Sequence, residues 1–411
     1  MLNVPSGFLW GASTAPHQIE GNNVNSDWWS QELHTPGMEL SGDALDSYHR
    51  YREDMQLLAE AGLNAYRFGV EWARIEPAPG RYSRAELAHY RRMIDEALRL
   101  GITPVITLQH FSTPRWFADE GGWLNERSVD RFRDYVEAVS PILEGVPWVC
   151  TINEPNMLAM LSTLTQSIQQ GDVSSWQSPT VDGVEGGTQP VLPAPDPEIG
   201  HRLGRAHVAA REVLKRTTDA AVGWTIANQA FYAAPENEAQ LVHERYLRED
   251  LYLEVSRDDD FVGIQAYSTQ EIGPNGPVPH ASHPDNTMVG TPYRPGALSV
   301  AARHAWQVTG GTPLLVTENG IATSDDARRI EYTREALAGL FDAAGDGVDV
   351  RGYLHWSLLD NYEWGHWGPT FGLIAVDRET FVRTPKPSLS WLGDIARSGD
   401  LEQSPAAETP A

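Results

Sequence analysis

Eight times along the chain, a short run of β-branched or aromatic residues precedes a longer segment whose apolar residues recur at helical spacing. That alternation argues for βα units around a parallel sheet. The short runs predict strands over Phe8–Ser13, Asn64–Val70, Thr103–His110, Trp148–Asn153, Ala220–Asn228, Phe261–Ser268, Pro313–Glu318 and Arg351–Ser357. The periodic segments predict helices over Tyr48–Ala61, Ala85–Leu100, Val129–Leu143, Ile199–Arg216, Ala239–Val255, Leu298–Thr309 and Ala327–Ala344, with a last one near Leu389–Arg397. Gly62, Gly101 and Gly310 fall where helix C-caps are expected. Eight consecutive pairs without a break in composition predict an α/β fold, a single closed (β/α)8 TIM barrel over residues 1–398, with 399–411 as a disordered tail. Active-site groups of such a barrel stand at the C-terminal ends of its strands, so position becomes a functional clue. Asn22–Asp43, Gln166–Pro197 and Gly273–Pro295, rich in Gly, Pro, Ser and Asn, are expected as loops shaping the pocket mouth.

Composition narrows the partners. The 31 Lys and Arg against 56 Asp and Glu give a net charge of −25, which repels phosphate backbones and anionic lipid surfaces. Neither nucleic acid nor a membrane is expected, and a small-molecule ligand is. No run approaches the roughly 20 apolar residues of a membrane helix, and Met1–Pro5 lacks the basic start of a signal peptide, which points to the cytoplasm. The one cysteine, Cys150, excludes an intramolecular disulfide and a cysteine-built metal site. It reads as a small buried core residue. The 13 histidines contain no His-Glu-x-x-His pair, Asp258–Asp260 reads as a solvated turn before a strand, and no Gly-rich phosphate loop occurs, so neither metal nor cofactor is expected. The oligomeric state stays open.

Two strand ends carry the chemistry. Thr151-Ile152-Asn153-Glu154-Pro155-Asn156 ends the fourth strand in a carboxylate, and Leu315-Val316-Thr317-Glu318-Asn319-Gly320 repeats the arrangement on the seventh. Strands four and seven lie three steps apart in an eight-stranded barrel, so Glu154 and Glu318 can face one another across its mouth. Burying a carboxylate is costly without partners; Asn153 and Asn319 each supply an amide able to orient a ligand or a carboxylate. Paired carboxylates in a cleft are the apparatus of glycoside hydrolysis. Trp356 to Trp367, after the eighth strand, crowds three Trp, Tyr362 and Glu363 into one segment, which suits stacking on sugar faces and hydrogen bonds to a pair of hydroxyls. Gln18, Arg67, His110 and Tyr267 add polar groups at other strand ends.

These motifs resemble the glycoside hydrolase family 1 β-glycosidases from Phe8 to about Asp377. The resemblance rests on Phe8-Leu9-Trp10-Gly11-Ala12-Ser13 with Gln18-Ile19-Glu20-Gly21, Tyr48–Asp54, Tyr66-Arg67-Phe68, Asn153-Glu154-Pro155, Thr317-Glu318-Asn319-Gly320 and Trp356–Trp364. It implies an O-glycosyl hydrolase of the β-glucosidase type that retains anomeric configuration and acts on a β-glycoside or oligosaccharide. It also implies that Glu154 is the general acid/base and Glu318 the nucleophile. Gln18, His110, Asn153, Trp356, Glu363 and Trp364 would then line the glycone site, while Arg67 and Tyr267 would hold and tune Glu318. A cation beside Glu318 favours its ionised form, and desolvation keeps Glu154 protonated. Three departures bear on specificity. Phe111 stands where the family commonly has Trp, Gln265-Ala266 where it usually has Asn-Tyr, and Thr370 where a basic residue is usual.

A 6-phospho-β-glycosidase would need cations near the glycone, yet Asn361–Asp377 holds no Lys or Arg and Glu363 would repel phosphate. A β-transglycosidase shares the carboxylate pair and differs only in which hydroxyl attacks. A non-catalytic sugar-binding barrel could have lost a carboxylate, and this chain keeps both. The expected glycone is an unphosphorylated β-D-glucoside, with galactosides and fucosides as further candidates.

Overall fold

The computed structural model describes residues 4–169, 185–187 and 191–402. Eight parallel strands close into a barrel: β1 Leu9–Ser13, β2 Ala65–Gly69, β3 Thr103–Thr107, β4 Trp148–Asn153, β5 Ala221–Ala227, β6 Val262–Gln265, β7 Leu314–Glu318 and β8 Val350–Trp356. Each strand neighbours the next in sequence, and β1 pairs with β8 to complete the ring. Eight outer helices follow the predicted segments: α1 Ser47–Ala61, α2 Arg84–Arg99, α3 Ser128–Val139, α4 Pro197–Thr217, α5 Glu238–Arg245, α6 Ala297–Thr309, α7 Asp326–Gly345 and α8 Pro387–Ser398. Gly62 closes α1 at φ +95°, a left-handed conformation that a side chain would strain.

The apolar residues divide into two layers. A large cluster fills the space between strands and helices, and a small one made of Leu9, Ala65, Val105, Cys150, Phe261, Leu315 and Leu354 plugs the barrel interior. Cys150 is fully buried there, as its sequence context predicts. Above that plug the interior turns polar, because residues two further along the same strands, Arg67, Thr107 and Trp356, point the same way.

The two carboxylate strands depart from this alternation. Asn153 lies three residues after Cys150, and Glu318 three after Leu315, so an unbroken period of two would turn both outward. The pairing shifts register between Cys150 and Asn153 on β4 and between Val316 and Glu318 on β7. Both side chains thereby reach the interior, where Arg67 binds them. An irregularity that re-aims a side chain next to a site is a recognised use of a bulge.

Several sequence expectations need correction. Asn22–Asp43 is not wholly loop: Asp27–His34 is a helix, N-capped by Ser26. A helix at Pro155–Gln169 follows β4 at once and runs into the stretch expected as the Gln166–Pro197 loop; residues 170–184 and 188–190 lie outside the described residues. The helix expected over Ala239–Val255 is interrupted by a π turn at Tyr246–Asp250. Asp259 is no solvated turn residue: it is buried and pairs with His207 at 3.0 Å and Arg211 at 2.6 Å. The expected tail divides: Gly399 caps α8 and Arg334 donates to the Leu401 carbonyl, while residues 403–411 lie outside the described residues. No helix among the described residues is long and apolar enough to cross a membrane.

Gly320, just past Glu318, fixes the spacing of β7 and β8, since a Cβ there would lie 2.1 Å from the Trp356 carbonyl oxygen. Forcing extra atoms into a packed site costs about 1–3 kcal/mol. Gly320→Ala should therefore lower stability by about that amount, read as a fall in the urea midpoint with an unchanged slope.

Candidate active site

A cavity of about 280 Å³ opens at the C-terminal end of the barrel, lined by His110, Glu154, Tyr267, Glu318, Trp356, Glu363 and Trp364 among others. Its volume sits at the lower end of small-molecule pockets. The remaining residues singled out from sequence, Gln18, Asn153 and Arg67, are buried behind the lining and bonded to it. The fold thus gathers all ten into one site.

Arg67 is its hub. Its guanidinium donates to Glu318 Oε1 at 2.6 Å, to Asn153 Oδ1 at 2.5 Å and, through Nε, to Thr107 Oγ1 at 2.9 Å, all without exposure to solvent. The second oxygen of Glu318 accepts from the Tyr267 hydroxyl at 2.7 Å. Burial and the Glu318 charge push the Tyr267 hydroxyl well above its ordinary value, so it remains a donor. Burial lifts the Glu318 carboxyl as well, and the guanidinium and the phenol pull it back. Glu154 has no such support. Burial first, then the charge of Glu318, holds its carboxyl well above the ordinary range, with only Arg67 at a distance opposing. Glu318 is therefore the first of the pair to ionise, and Glu154 the one that keeps a proton.

Asn153 Oδ1 accepts from three donors, Arg67, Thr225 at 3.0 Å and Gln265 at 2.9 Å, which leaves its buried Nδ2 without a partner among the described residues. Gln18 donates to Asn361 Oδ1, the Tyr362 carbonyl and Glu363 Oε2, and its Oε1 is likewise unpartnered. His110 stacks near Trp356 and Trp364, with ring centroids 5.8 and 5.9 Å away. Burial and Arg67 push its imidazole well below its ordinary value, so it is neutral, with Nδ1 free of protein partners among the described residues. Buried polar atoms are normally satisfied. With Gln265 Oε1, also unpartnered among the described residues, four such atoms lie in or just behind the lining of one cavity, able to meet a ligand's hydroxyls.

Glu363 accepts from Trp356 Nε1 at 3.2 Å, and burial pushes its carboxyl up to about 8. Trp364 packs on His17, Trp28, His110 and Phe111. Other members of this segment face elsewhere. Tyr362 donates to the Glu39 carbonyl and Trp367 to the Leu40 carbonyl, so these two rings anchor the 39–40 stretch and do not line the cavity. Asn319 is also spoken for: its amide donates to the Ala266 carbonyl and accepts from Tyr353, which orients strands and not a carboxylate. Sequence reading missed Thr225 and Asn228, because a threonine inside an apolar strand and an asparagine at its end carry no distinctive pattern. Among the described residues no group of three or more His, Cys, Asp and Glu could hold a metal ion.

The glycosyl hydrolase family 1 model matches residues 2–270 and 268–400. The chain belongs to that family and is an O-glycosyl hydrolase. It is 30% identical to a thermostable beta-glucosidase B of Thermobispora bispora, over 97% of this chain and 92% of that protein. It is also 30% identical to a bifunctional beta-D-glucosidase/beta-D-fucosidase of Bifidobacterium breve, over 94% and 96%. The crystal structure of the beta-glycosidase BGL167 superposes with a TM-score of 0.84 at 41% identity, covering 99% of this chain and all of that one.

The raised Glu363 carboxyl carries a stability consequence. Its folded value of about 8 lies above the ordinary 4.5, so its contribution is fully present below about 4.5 and is lost as pH rises through about 8. An amide has no such dependence. Glu363→Gln should gain stability over the natural protein between pH 4.5 and 8, by an amount on the order of a few kcal/mol at about 1.4 kcal/mol per pKa unit. Chemical denaturation of both proteins across that range measures it, and a constant difference would show that no buried charge is removed.

Proposed function

We propose that this chain is a retaining β-glucosidase in which Glu318 is the nucleophile and Glu154 the acid/base. The observation that carries the reading is the asymmetry of the pair: Arg67 and Tyr267 serve Glu318, while Glu154 is desolvated beside it. In the first step Glu318 attacks the anomeric carbon as Glu154 gives its proton to the departing oxygen. A glycosyl ester forms on Glu318, whose charge is then gone. That charge is one of the causes holding the Glu154 proton, so Glu154 becomes able to take a proton from the incoming water. Water then releases the sugar with its β configuration.

The glycone reading rests on Glu363 and Trp356, which line one end of the cavity, and on Gln18, bonded to Glu363 behind them, with no Lys or Arg in the lining. An unphosphorylated glucoside suits that chemistry. Phe111 and Ala266 offer no side-chain hydrogen bond, so related sugars such as fucosides are expected to be accepted too. His280 lines both this cavity and a larger outer one of about 880 Å³ walled by Tyr232, Tyr293 and Arg294, which gives the leaving group a place to lie.

Two experiments test the roles and the glycone. Glu318→Gly should be rescued by azide to give the α-glycosyl azide, because the anion fills the vacated nucleophile position. Glu154→Ala should still cleave substrates with good leaving groups and give the β-azide. Products of swapped configuration would reverse the assignment. A lost hydrogen bond to a charged group is worth about 1.5–3 kcal/mol, so Glu363→Ala should cut kcat/KM for an aryl β-glucoside by about 10-fold to 100-fold. An equal loss for the matching xyloside would show that Glu363 only shapes the rim.

A further inference from the structure

Glu154, the single residue between β4 and the helix Pro155–Gln169, has a left-handed backbone conformation, φ +44°. For a residue with a side chain this costs of order 1–3 kcal/mol and persists only where the surroundings impose it. Its own N–H donates to the Thr225 carbonyl of β5 at 2.8 Å. Two residues on, Asn156 is almost fully buried and clamps the following helix in place: Nδ2 donates to the carbonyls of Ala227, at 2.8 Å, and Arg248, at 2.7 Å, while Oδ1 accepts from the Ala227 N–H. Arg248 belongs to the π turn Tyr246–Asp250, and its guanidinium also reaches Met160 of the same helix.

The neighbouring residue of that π turn, Glu249, is 2% exposed and plays no part in the chemistry described above. Its carboxylate accepts from the Asn228 side-chain amide. Asn228 follows Ala227 at the end of β5, lines the cavity, and is bonded through backbone and side chain to Gln265 of β6. A π turn widens the helix by one residue and is a frequent mark of functional sites. Here it lets consecutive residues face one strand end, with the Arg248 carbonyl on Asn156 and the Glu249 carboxylate on Asn228.

We infer that Glu249 is a positioning residue for the acid/base: through Asn228 and the end of β5 it keeps the Arg248–Asn156 clamp seated, and with it the strained backbone that aims Glu154 at the departing oxygen. The inference rests on the acid/base reading of Glu154. Burial lifts the Glu249 carboxyl to about 7, opposed by the neighbouring His304, which is ion-paired with Asp250, and by the Asn228 hydrogen bond.

The test is the dependence of kcat/KM on leaving-group acidity across a series of aryl β-glucosides, since kcat/KM reports binding and bond breaking and not the later attack of water. A misaimed acid hurts poor leaving groups, which need the proton, and spares good ones. Glu249→Leu should lose about 10-fold or more with phenol or alkyl leaving groups and little with dinitrophenol, displacements of about 1 Å being able to cost 100-fold. Glu249→Gln, whose amide oxygen can accept from Asn228, should restore the natural dependence. Should Glu249→Leu not fold, Asn156→Ala cuts the clamp at its other end and is expected to show the same selective loss. A uniform loss across the series, no loss, or failure of Gln to restore would overturn the inference. Glu154→Gln serves as the reference: if it lacks a steep leaving-group dependence, the acid/base reading itself fails, whatever the Glu249 variants do.

Discussion

One fully buried guanidinium organises this site. Arg67 comes from β2, holds Thr107 just inside β3, Asn153 at the end of β4 and Glu318 at the end of β7, and so ties together strands on opposite sides of the ring. A buried cation without a counter-charge would cost several kcal/mol, and so would a buried Glu318 without Arg67. Each makes the other tolerable. The same contact, with those of Thr225 and Gln265, saturates the Asn153 oxygen and leaves its buried amide nitrogen without a partner among the described residues.

That arrangement depends on two small departures from regular strand geometry. Regular alternation would leave Asn153 and Glu318 on the helix-facing side, where neither could reach Arg67. The shifts before them cost some ladder pairing and return three of the site's polar contacts, two to Arg67 and one to Tyr267. The close approach of Gly320 to Trp356 then brings the aromatic wall of β8 against the end of β7. Backbone irregularity and a missing Cβ, both invisible as chemistry, set where the reactive groups stand.

Much of this could be read in the sequence because a buried parallel strand writes itself as a continuous apolar run, and because a barrel converts the end of each run into a place in the site. Glu154 and Glu318 were legible on those grounds. What period-two reasoning could not supply is the inward turn of Asn153 and Glu318, which comes from unequal pairing with neighbouring strands. The helices Asp27–His34 and Pro155–Gln169 were obscured for a different reason. The first is short and capped within a Gly- and Asn-rich stretch, and the second has apolar residues on too many sides for a single stripe to stand out. The roles of Asn319, Tyr362 and Trp367 escaped because a polar or aromatic residue at a strand end serves equally well as a ligand group or as a strut. Only contact partners decide between the two.

The charge state of the cavity follows from having three carboxyls and one cation. Glu154 and Glu363 are both raised first by burial and then, in part, by the charge on Glu318, while Glu318 alone touches Arg67. The three cannot all ionise in so small a volume. Glu318 goes first, and its negative charge helps keep a proton on Glu154, as the proposed acid role requires. Hydrogen bonds from sugar hydroxyls would favour the carboxylate form of Glu363, so glycone binding and proton loss at that end are linked. In the proposed mechanism an ester on Glu318 would remove its charge from both neighbours at once, and so ease ionisation of Glu154 as water is activated. Burial thus raises all three carboxyls, and the one buried arginine decides which of them ionises first.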